Sequence, residues 1–120
     1  MNDIDPTSWE KLVIPPEKAL KKIEPGMCIF LGTGAAEPRT LVRELMNSDA
    51  DNLQDLELFQ LLSFGDAISI QKLQTQKFRL KTFFSGWVAK DAITAGRVDL
   101  IPSRFSRLSQ LINSRRIPFD

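Results

Sequence analysis

Short apolar runs separated by turn residues dominate the hydrophobic pattern of this chain. Residues 27–31 form a continuous run of five apolar residues that ends at Gly32. A run of this length is typical of a strand buried on both faces, as in a parallel sheet. Three further apolar or alternating stretches, 56–62, 78–84 and 98–101, predict a second, a third and a fourth strand.

Apolar residues at helical spacing predict helices before, between and after these strands. A first helix begins at Pro15–Pro16 and is expected to end at the turn Pro25–Gly26. The next helices are predicted over about 38–46, 86–95 and 105–112, with Leu41 and Phe105 among the inward-facing residues. Helices that alternate with short strands favour a three-layer α/β fold with a mostly parallel sheet.

The two ends of the chain depart from this alternation. Residues 1–14 are predicted to form an extended lead-in segment, and residues 15–120 a single α/β portion. Residues 66–76 have no clear periodicity. Because 117–120 resembles the approach to a fifth strand, we expect an incomplete N-terminal portion of a larger domain, truncated at its C-terminal end. A bare sheet edge would also allow the chain to form a homo-oligomer.

Composition excludes several kinds of chemistry. The 120 residues include 16 basic and 15 acidic ones, and a net charge of +1 argues against a dedicated nucleic-acid binder. The chain has no His and a single Cys, which excludes His-based acid–base catalysis and both His-ligated and thiolate metal sites. No apolar run is long enough to span a membrane, and one Cys fits a reducing, cytoplasmic location.

The candidate binding site is a glycine-containing loop between the first strand and the helix that follows it. Its residues are Gly32, Thr33, Gly34 and Ala35. Ligands of open α/β sheets bind beyond the carboxyl ends of strands, where glycines let backbone N–H groups approach them. Ser85 and Gly86 follow the third strand and form a second candidate loop at the same edge. The pattern alone leaves open a phosphate, a carboxylate, an acyl oxygen or a tight turn without a ligand.

Other polar residues near these loops receive structural interpretations. Glu37 is interpreted as an acid in a first helical turn, and Cys28 as a packed thiol within a strand. A dinucleotide site is an alternative, although its fingerprint requires a small residue where Glu37 stands. Asp66 could then bind the ribose. Arg115 and Arg116 are interpreted as a solvated pair, with contact to a phosphorylated ligand as the alternative.

Three motifs occur in an order and spacing that are more specific than any one of them. They are Leu31-Gly32-Thr33-Gly34-Ala35-Ala36-Glu37-Pro38, then Phe83-Phe84-Ser85-Gly86 with Gly96-Arg97-Val98-Asp99-Leu100-Ile101-Pro102, and finally Ile117-Pro118-Phe119-Asp120. Together they resemble the N-terminal part of the acetyl-CoA hydrolase/transferase family, which includes the 4-hydroxybutyrate CoA-transferase type. The resemblance covers about residues 15–120 and implies a CoA-transferase-like fold.

The resemblance implies acyl transfer between CoA thioesters and carboxylates, or thioester hydrolysis. In the family, a glutamate attacks the acyl-CoA carbonyl, and an acyl–glutamyl anhydride and a glutamyl–CoA thioester follow. That glutamate lies in the family's C-terminal half, so no catalytic residue is assigned here and the isolated chain is predicted to be inactive. The two loops are assigned to the substrate pocket, with a CoA thioester as substrate and no tightly bound cofactor or metal.

The expected partners follow from this assignment. They are acyl-CoA, a small carboxylate and the remainder of the parent polypeptide, with no nucleic acid and no membrane. Two alternatives stay open at this point, namely a nicotinamide-dinucleotide-binding α/β module and a non-catalytic α/β interaction domain. The choice between transferase and hydrolase, and the identity of the acyl group, are also open.

Overall fold

The computed structural model describes residues 8–61 and 77–120. The strands are β1 (Cys28–Leu31), β2 (Leu56–Gln60), β3 (Phe78–Thr82) and β4 (Val98–Leu100). The α-helices are α1 (Pro16–Leu20), α2 (Arg39–Asn47), α3 (Trp87–Thr94) and α4 (Leu108–Asn113). Short 3-10 helices lie at Trp9–Leu12, Gly34–Ala36 and Phe105–Arg107. None of the described helices combines the length and the apolar character needed to cross a membrane.

The four described strands form one parallel sheet in the order β1-β2-β3-β4. This confirms the predicted α/β fold class. The last row of the register joins Leu31 to Gln60, Gln60 to Thr82 and Thr82 to Leu100. Because all four strands run in the same direction, the loops that follow them meet at this carboxyl edge.

Side chains of the sheet alternate between two covered faces. The first face packs against α1, α2 and α3 in a cluster that includes Leu20, Val42, Leu45, Leu58, Leu80 and Ala92. The second face packs against α4 and the end of the chain in a cluster that includes Cys28, Phe59, Phe83, Leu108 and Phe119. The strand order advances in one direction, so right-handed crossovers place α2 and α3 on the same face. The sheet is therefore the middle of three layers.

The last residues of the chain lie along the free edge of β1. The Asp120 N–H donates to the Cys28 carbonyl oxygen at 2.9 Å, and the Cys28 N–H donates to Asp120 Oδ2 at 2.9 Å. The Met27 carbonyl oxygen accepts a hydrogen bond from the Glu57 N–H of β2. In a parallel strand successive residues bond to opposite sides, so the N–H and carbonyl of the next residue, Cys28, point away from β2. The segment 117–120 thus lies where the sequence predicts the approach to a fifth strand.

Two elements near the N-terminus differ from the sequence prediction. Trp9–Leu12 form a 3-10 helix where extended chain is predicted, and residues 1–7 lie outside the described part. Helix α1 ends at Leu20, well before the predicted stop at Pro25–Gly26. The reason is tertiary, because Asn52 Nδ2 donates to the carbonyls of Leu20 and Ile23 at 3.0 and 2.7 Å and so satisfies the end of the helix.

Two apolar side chains that are predicted to face inward are exposed. Leu41 is 41% exposed and Phe105 is 70% exposed. Phe105 belongs to the 3-10 helix that precedes α4, so its side chain is out of phase with the buried Leu108. The segment 66–76, left ambiguous by its pattern, lies outside the described residues.

Candidate functional site

The loop after β1 folds back tightly on itself. A Cβ atom added at Gly32 would lie 2.4 Å from the backbone carbonyl oxygen of Ala36, closer than such atoms can approach. Gly34 has φ +57°, in the left-handed region that favours glycine. Both glycines are therefore required by the shape of the loop.

Some N–H groups of this loop are used within the loop itself. Those of Ala36 and Glu37 donate to the carbonyls of Thr33 and Gly34 at 3.0 and 3.2 Å. Those of Gly34 and Ala35 donate to no other residue in the described part of the chain. The Gly34 and Ala35 N–H groups are thus the loop's candidates for binding a ligand.

The second predicted loop, Ser85–Gly86, lies at the same edge because it follows the parallel strand β3. Thr82 ends this strand and is buried, and its Oγ1 lies 3.0 Å from the Phe84 carbonyl oxygen and 3.2 Å from that of Leu61. Its single hydrogen serves one of them and holds the chain as it leaves the sheet. Ser85 is exposed and Gly86 half-buried just before α3. The two predicted loops therefore flank the end of β2.

Gln60, at the end of β2, was missed as a site residue. It is 1% exposed, and its Nε2 donates to the Gly32 carbonyl oxygen at 3.4 Å. A carbonyl only accepts, so this contact fixes the side-chain amide with Oε1 turned away from Gly32. Gln60 Oε1 is buried without a hydrogen-bond partner. A polar residue at the end of an apolar strand is the signal that could have identified it.

Glu37 holds a second buried acceptor without a partner. Its interpretation as an acid of the first helical turn is wrong, because α2 begins only at Arg39. Glu37 lies in extended backbone after the 3-10 helix, with φ −62° and ψ 122°, and is 8% exposed. Its Oε2 atom is buried and accepts no hydrogen bond.

The two acceptors define what the site requires chemically. A buried polar group without a partner costs about 1–3 kcal/mol, and native proteins contain few of them. An amide oxygen only accepts, so Gln60 Oε1 needs a hydrogen-bond donor, and the lone pairs of Glu37 Oε2 can accept from a donor as well. The loop N–H groups of Gly34 and Ala35 are donors. A ligand that carries both N–H or O–H groups and a carbonyl or carboxylate oxygen would match this edge.

The opposite face of the sheet contains the thiol, which is structural. Burial raises the pKa of the Cys28 thiol, the negative charges of Glu57 and Asp120 raise it further, and the charge of Lys81 lowers it. Lys81 Nζ lies 2.9 Å from Glu57 Oε1 and 5.2 Å from the Phe59 ring centroid. A thiol with a raised pKa is a poor nucleophile, in agreement with the packed thiol interpretation.

The chain combines a parallel sheet with a glycine loop and buried acceptors at the carboxyl edge, which is the edge where open α/β sheets bind their ligands. The chain belongs to the acetyl-CoA hydrolase/transferase family, whose N-terminal domain matches residues 2–118. The resemblance found in the sequence motifs is thereby confirmed.

Solved structures of RipA share this fold. A mutant form of RipA matches with a TM-score of 0.71 and 20% identity, over 93% of this chain and 28% of that chain. RipA from Yersinia pestis matches with a TM-score of 0.66 and 20% identity, over 89% of this chain and 27% of that chain. The chain thus spans about a quarter of the length of these structures. No curated protein matches it.

Proposed function

We propose that this chain is the N-terminal part of an acyl-CoA:carboxylate CoA-transferase or acetyl-CoA hydrolase, and that the carboxyl edge of its sheet forms part of the acyl-CoA pocket. The family match over residues 2–118 is the observation that carries the proposal. The chemistry of the edge supports it, because an acyl-CoA thioester offers a carbonyl oxygen to donors and amide N–H groups to acceptors.

Each part of the edge has a distinct role in this proposal. The N–H groups of Gly34 and Ala35 donate to the thioester or carboxylate oxygen, on which negative charge develops during acyl transfer. Gln60 Oε1 and Glu37 Oε2 accept hydrogen bonds from N–H or O–H groups of the substrate. The second loop, Ser85–Gly86, borders the same pocket. All of these residues bind and orient the substrate, and none of them is a nucleophile.

The attacking glutamate is proposed to come from polypeptide outside this chain. Its carboxylate forms a C–O bond to the thioester carbon as the C–S bond breaks, which gives an acyl–glutamyl anhydride and CoA thiolate. Glu37 is not this nucleophile, because its position in the family motif is the junction between loop and helix. The isolated chain is therefore expected to lack turnover.

The dinucleotide alternative has less support than CoA chemistry. Its fingerprint needs a small residue at the position of Glu37, whose buried carboxyl group would face a pyrophosphate with like charge. Asp66, the candidate ribose ligand, lies outside the described residues. Family membership likewise favours an enzyme of acyl-CoA metabolism over a domain without a ligand.

The test is thiol release from acetyl-CoA by the 120-residue chain and by a longer polypeptide that contains it. We expect turnover only from the longer polypeptide. Formation of a new acyl-CoA from an added carboxylate would identify a transferase, and acetate release without one a hydrolase. Enzyme-like turnover by the 120-residue chain alone would show that the nucleophile lies within this chain. Inactivity of the longer polypeptide toward CoA thioesters would overturn the proposal.

A matched pair of glycine variants tests the loop. Gly34 and Gly96 have φ +57° and +68°, so Gly34→Ala and Gly96→Ala carry a similar backbone cost. Only Gly34 lies in the proposed pocket, since Gly96 precedes β4 at the other edge of the sheet. We expect Gly34→Ala to lower kcat/KM at least tenfold more than Gly96→Ala in the longer polypeptide. Equal losses of kcat/KM in the two variants would show that the loop is not part of the pocket.

A further inference from the structure

A second concave surface lies near the carboxyl edge of the sheet, beyond β4. It is a groove of about 390 Å³ between the residues that follow β4 and helix α4. Its polar side chains belong to Ser103, Arg107, Gln110, Ser114 and Arg116, and its apolar ones to Ile101, Pro102 and Leu111. No acidic side chain lines it. The proposed acyl pocket uses none of these residues.

The charge around this groove is one-sided. Residues 100–119 contain four arginines and no acidic residue, although basic and acidic residues are nearly balanced over the whole chain. The ion pairs within residues 8–61 and 77–120 are made by Lys77 and Lys81. Neither Arg107 nor Arg116 is therefore neutralised by a carboxylate in this part of the chain. Two unneutralised guanidinium groups in one groove favour an anionic ligand.

The local structure holds both arginines at the groove. Arg107 Nη1 donates to Gln110 Oε1 at 2.8 Å, which restrains the guanidinium group on the groove wall. At the other end of α4, Arg115 has φ +53°, the left-handed conformation that often ends a helix. This turn ends the helix and leaves Arg116 lining the groove.

The position of the groove relative to the glycine loop limits the ligand further. The two features follow β4 and β1, which are separated by three strand spacings, or roughly 14 Å. In CoA, an extended pantetheine arm separates the thioester from the phosphate groups by a comparable length. A thioester at the loop would therefore allow the phosphates to reach the groove.

We propose that this groove binds the phosphate groups of CoA, with Arg107 and Arg116 as the phosphate ligands. Guanidinium groups bind phosphate oxygens through paired N–H donors and keep their charge at any physiological pH. The choice of CoA rests on the proposed function, whereas the affinity for an organic phosphate rests on the groove alone.

The first test is calorimetric titration of the 120-residue chain with adenosine 3′,5′-bisphosphate at low salt. We expect saturable binding that weakens at least tenfold in the double variant Arg107→Gln/Arg116→Gln. The control Arg43→Gln/Arg97→Gln removes the same charge from α2 and from the turn before β4, and we expect its affinity to stay within twofold. Circular dichroism verifies that both variants are folded. Absence of binding, or equal weakening by both double variants, would overturn the proposal.

Two further comparisons test whether the phosphate that binds the groove belongs to CoA. Inorganic phosphate should bind at least tenfold more weakly than adenosine 3′,5′-bisphosphate, and equal binding would mean a general anion site and overturn the CoA assignment. In the longer polypeptide, Arg107→Gln/Arg116→Gln should raise KM for acetyl-CoA and leave KM for S-acetylpantetheine unchanged. An inactive polypeptide whose 120-residue chain still binds adenosine 3′,5′-bisphosphate would contradict the proposed function and retain the groove as a phosphate site.

Discussion

Adding a single Cβ atom at Gly32 tests the shape of the candidate loop. A methyl group at this position would overlap the Ala36 carbonyl oxygen, which belongs to the backbone and cannot rotate away. Gly32→Ala must therefore displace the 3-10 helix Gly34–Ala36, and we expect a loss of about 1–3 kcal/mol in the free energy of unfolding by urea. Amide NMR shifts of Gly34 and Ala35 should change with it.

Gly96 provides the control for this substitution. An added Cβ atom there meets nothing within 4 Å, so Gly96→Ala carries only the cost of its φ of +68°. We expect Gly96→Ala to lower stability by about 1–2 kcal/mol while the amide shifts of the loop stay unchanged. A Gly32→Ala variant that leaves both the loop shifts and the stability unchanged would contradict the tight contact.

A substitution at Glu37 is expected to affect stability and turnover in opposite directions. Glu37→Gln keeps the size of the side chain and removes the charge, and a neutral amide is less costly to bury than a carboxylate. We expect the free energy of unfolding of the 120-residue chain to rise by about 1 kcal/mol, and turnover by the longer polypeptide to fall. Exposed Glu24 is the control, since Glu24→Gln should change neither. A destabilised Glu37→Gln variant would show that the Glu37 carboxyl group has a favourable interaction in the folded protein, which contradicts an unpartnered Oε2.

The end of the chain fastens the second face of the sheet. Phe119 lies edge-on to Phe30 and to Phe59, with ring centroids 5.4 and 5.3 Å apart. Phe119→Ala removes both ring contacts and much of the cover over β1, so we expect urea unfolding to show a loss of about 2–3 kcal/mol. Phe105 is 70% exposed, and Phe105→Ala should stay within about 0.5 kcal/mol. Similar losses in the two variants would mean that the end of the chain does not pack on the sheet.

Elements defined by local pattern were predictable from the sequence, and elements limited by distant contacts were not. The apolar run at Cys28–Leu31 and its bordering turns predict a buried strand wherever they occur in an α/β chain. Helix α1 ends early because Asn52, which is remote in sequence, binds its carbonyl groups. The phase of Phe105 depends on a 3-10 turn that leaves the apolar spacing unchanged.

The candidate site was predictable only where it depends on the backbone. The motif Gly32–Ala35 after a buried strand indicates a loop at the carboxyl edge without knowledge of the strand order. Gln60 becomes a site candidate only because β2 lies next to β1, which puts its side chain beside Gly32. Glu37 becomes one only because the folded chain buries it. Strand order results from packing of the whole sheet, which the local pattern does not contain.

The stability of the entire fold should depend on pH through Cys28. Burial, followed by the negative charges of Glu57 and Asp120, raises the pKa of its thiol in the folded protein. The unfolded chain therefore releases the thiol proton at a lower pH than the folded protein does. The associated stability is complete below the ordinary pKa of a cysteine thiol, and it is lost as pH rises from there through the raised folded value.

Urea unfolding at several pH values from about 7 to 10 measures this loss, and Cys28→Ser is the reference because serine does not titrate in this range. The two proteins differ only at residue 28, so the pH dependence of the difference between their unfolding free energies reports on the thiol. We expect this difference to shift in favour of Cys28→Ser as pH rises. Iodoacetamide should also alkylate the unfolded chain faster than the folded protein at the same pH. A difference that does not vary with pH would show that the thiol has an ordinary pKa and that the β1 strand leaves it accessible to water.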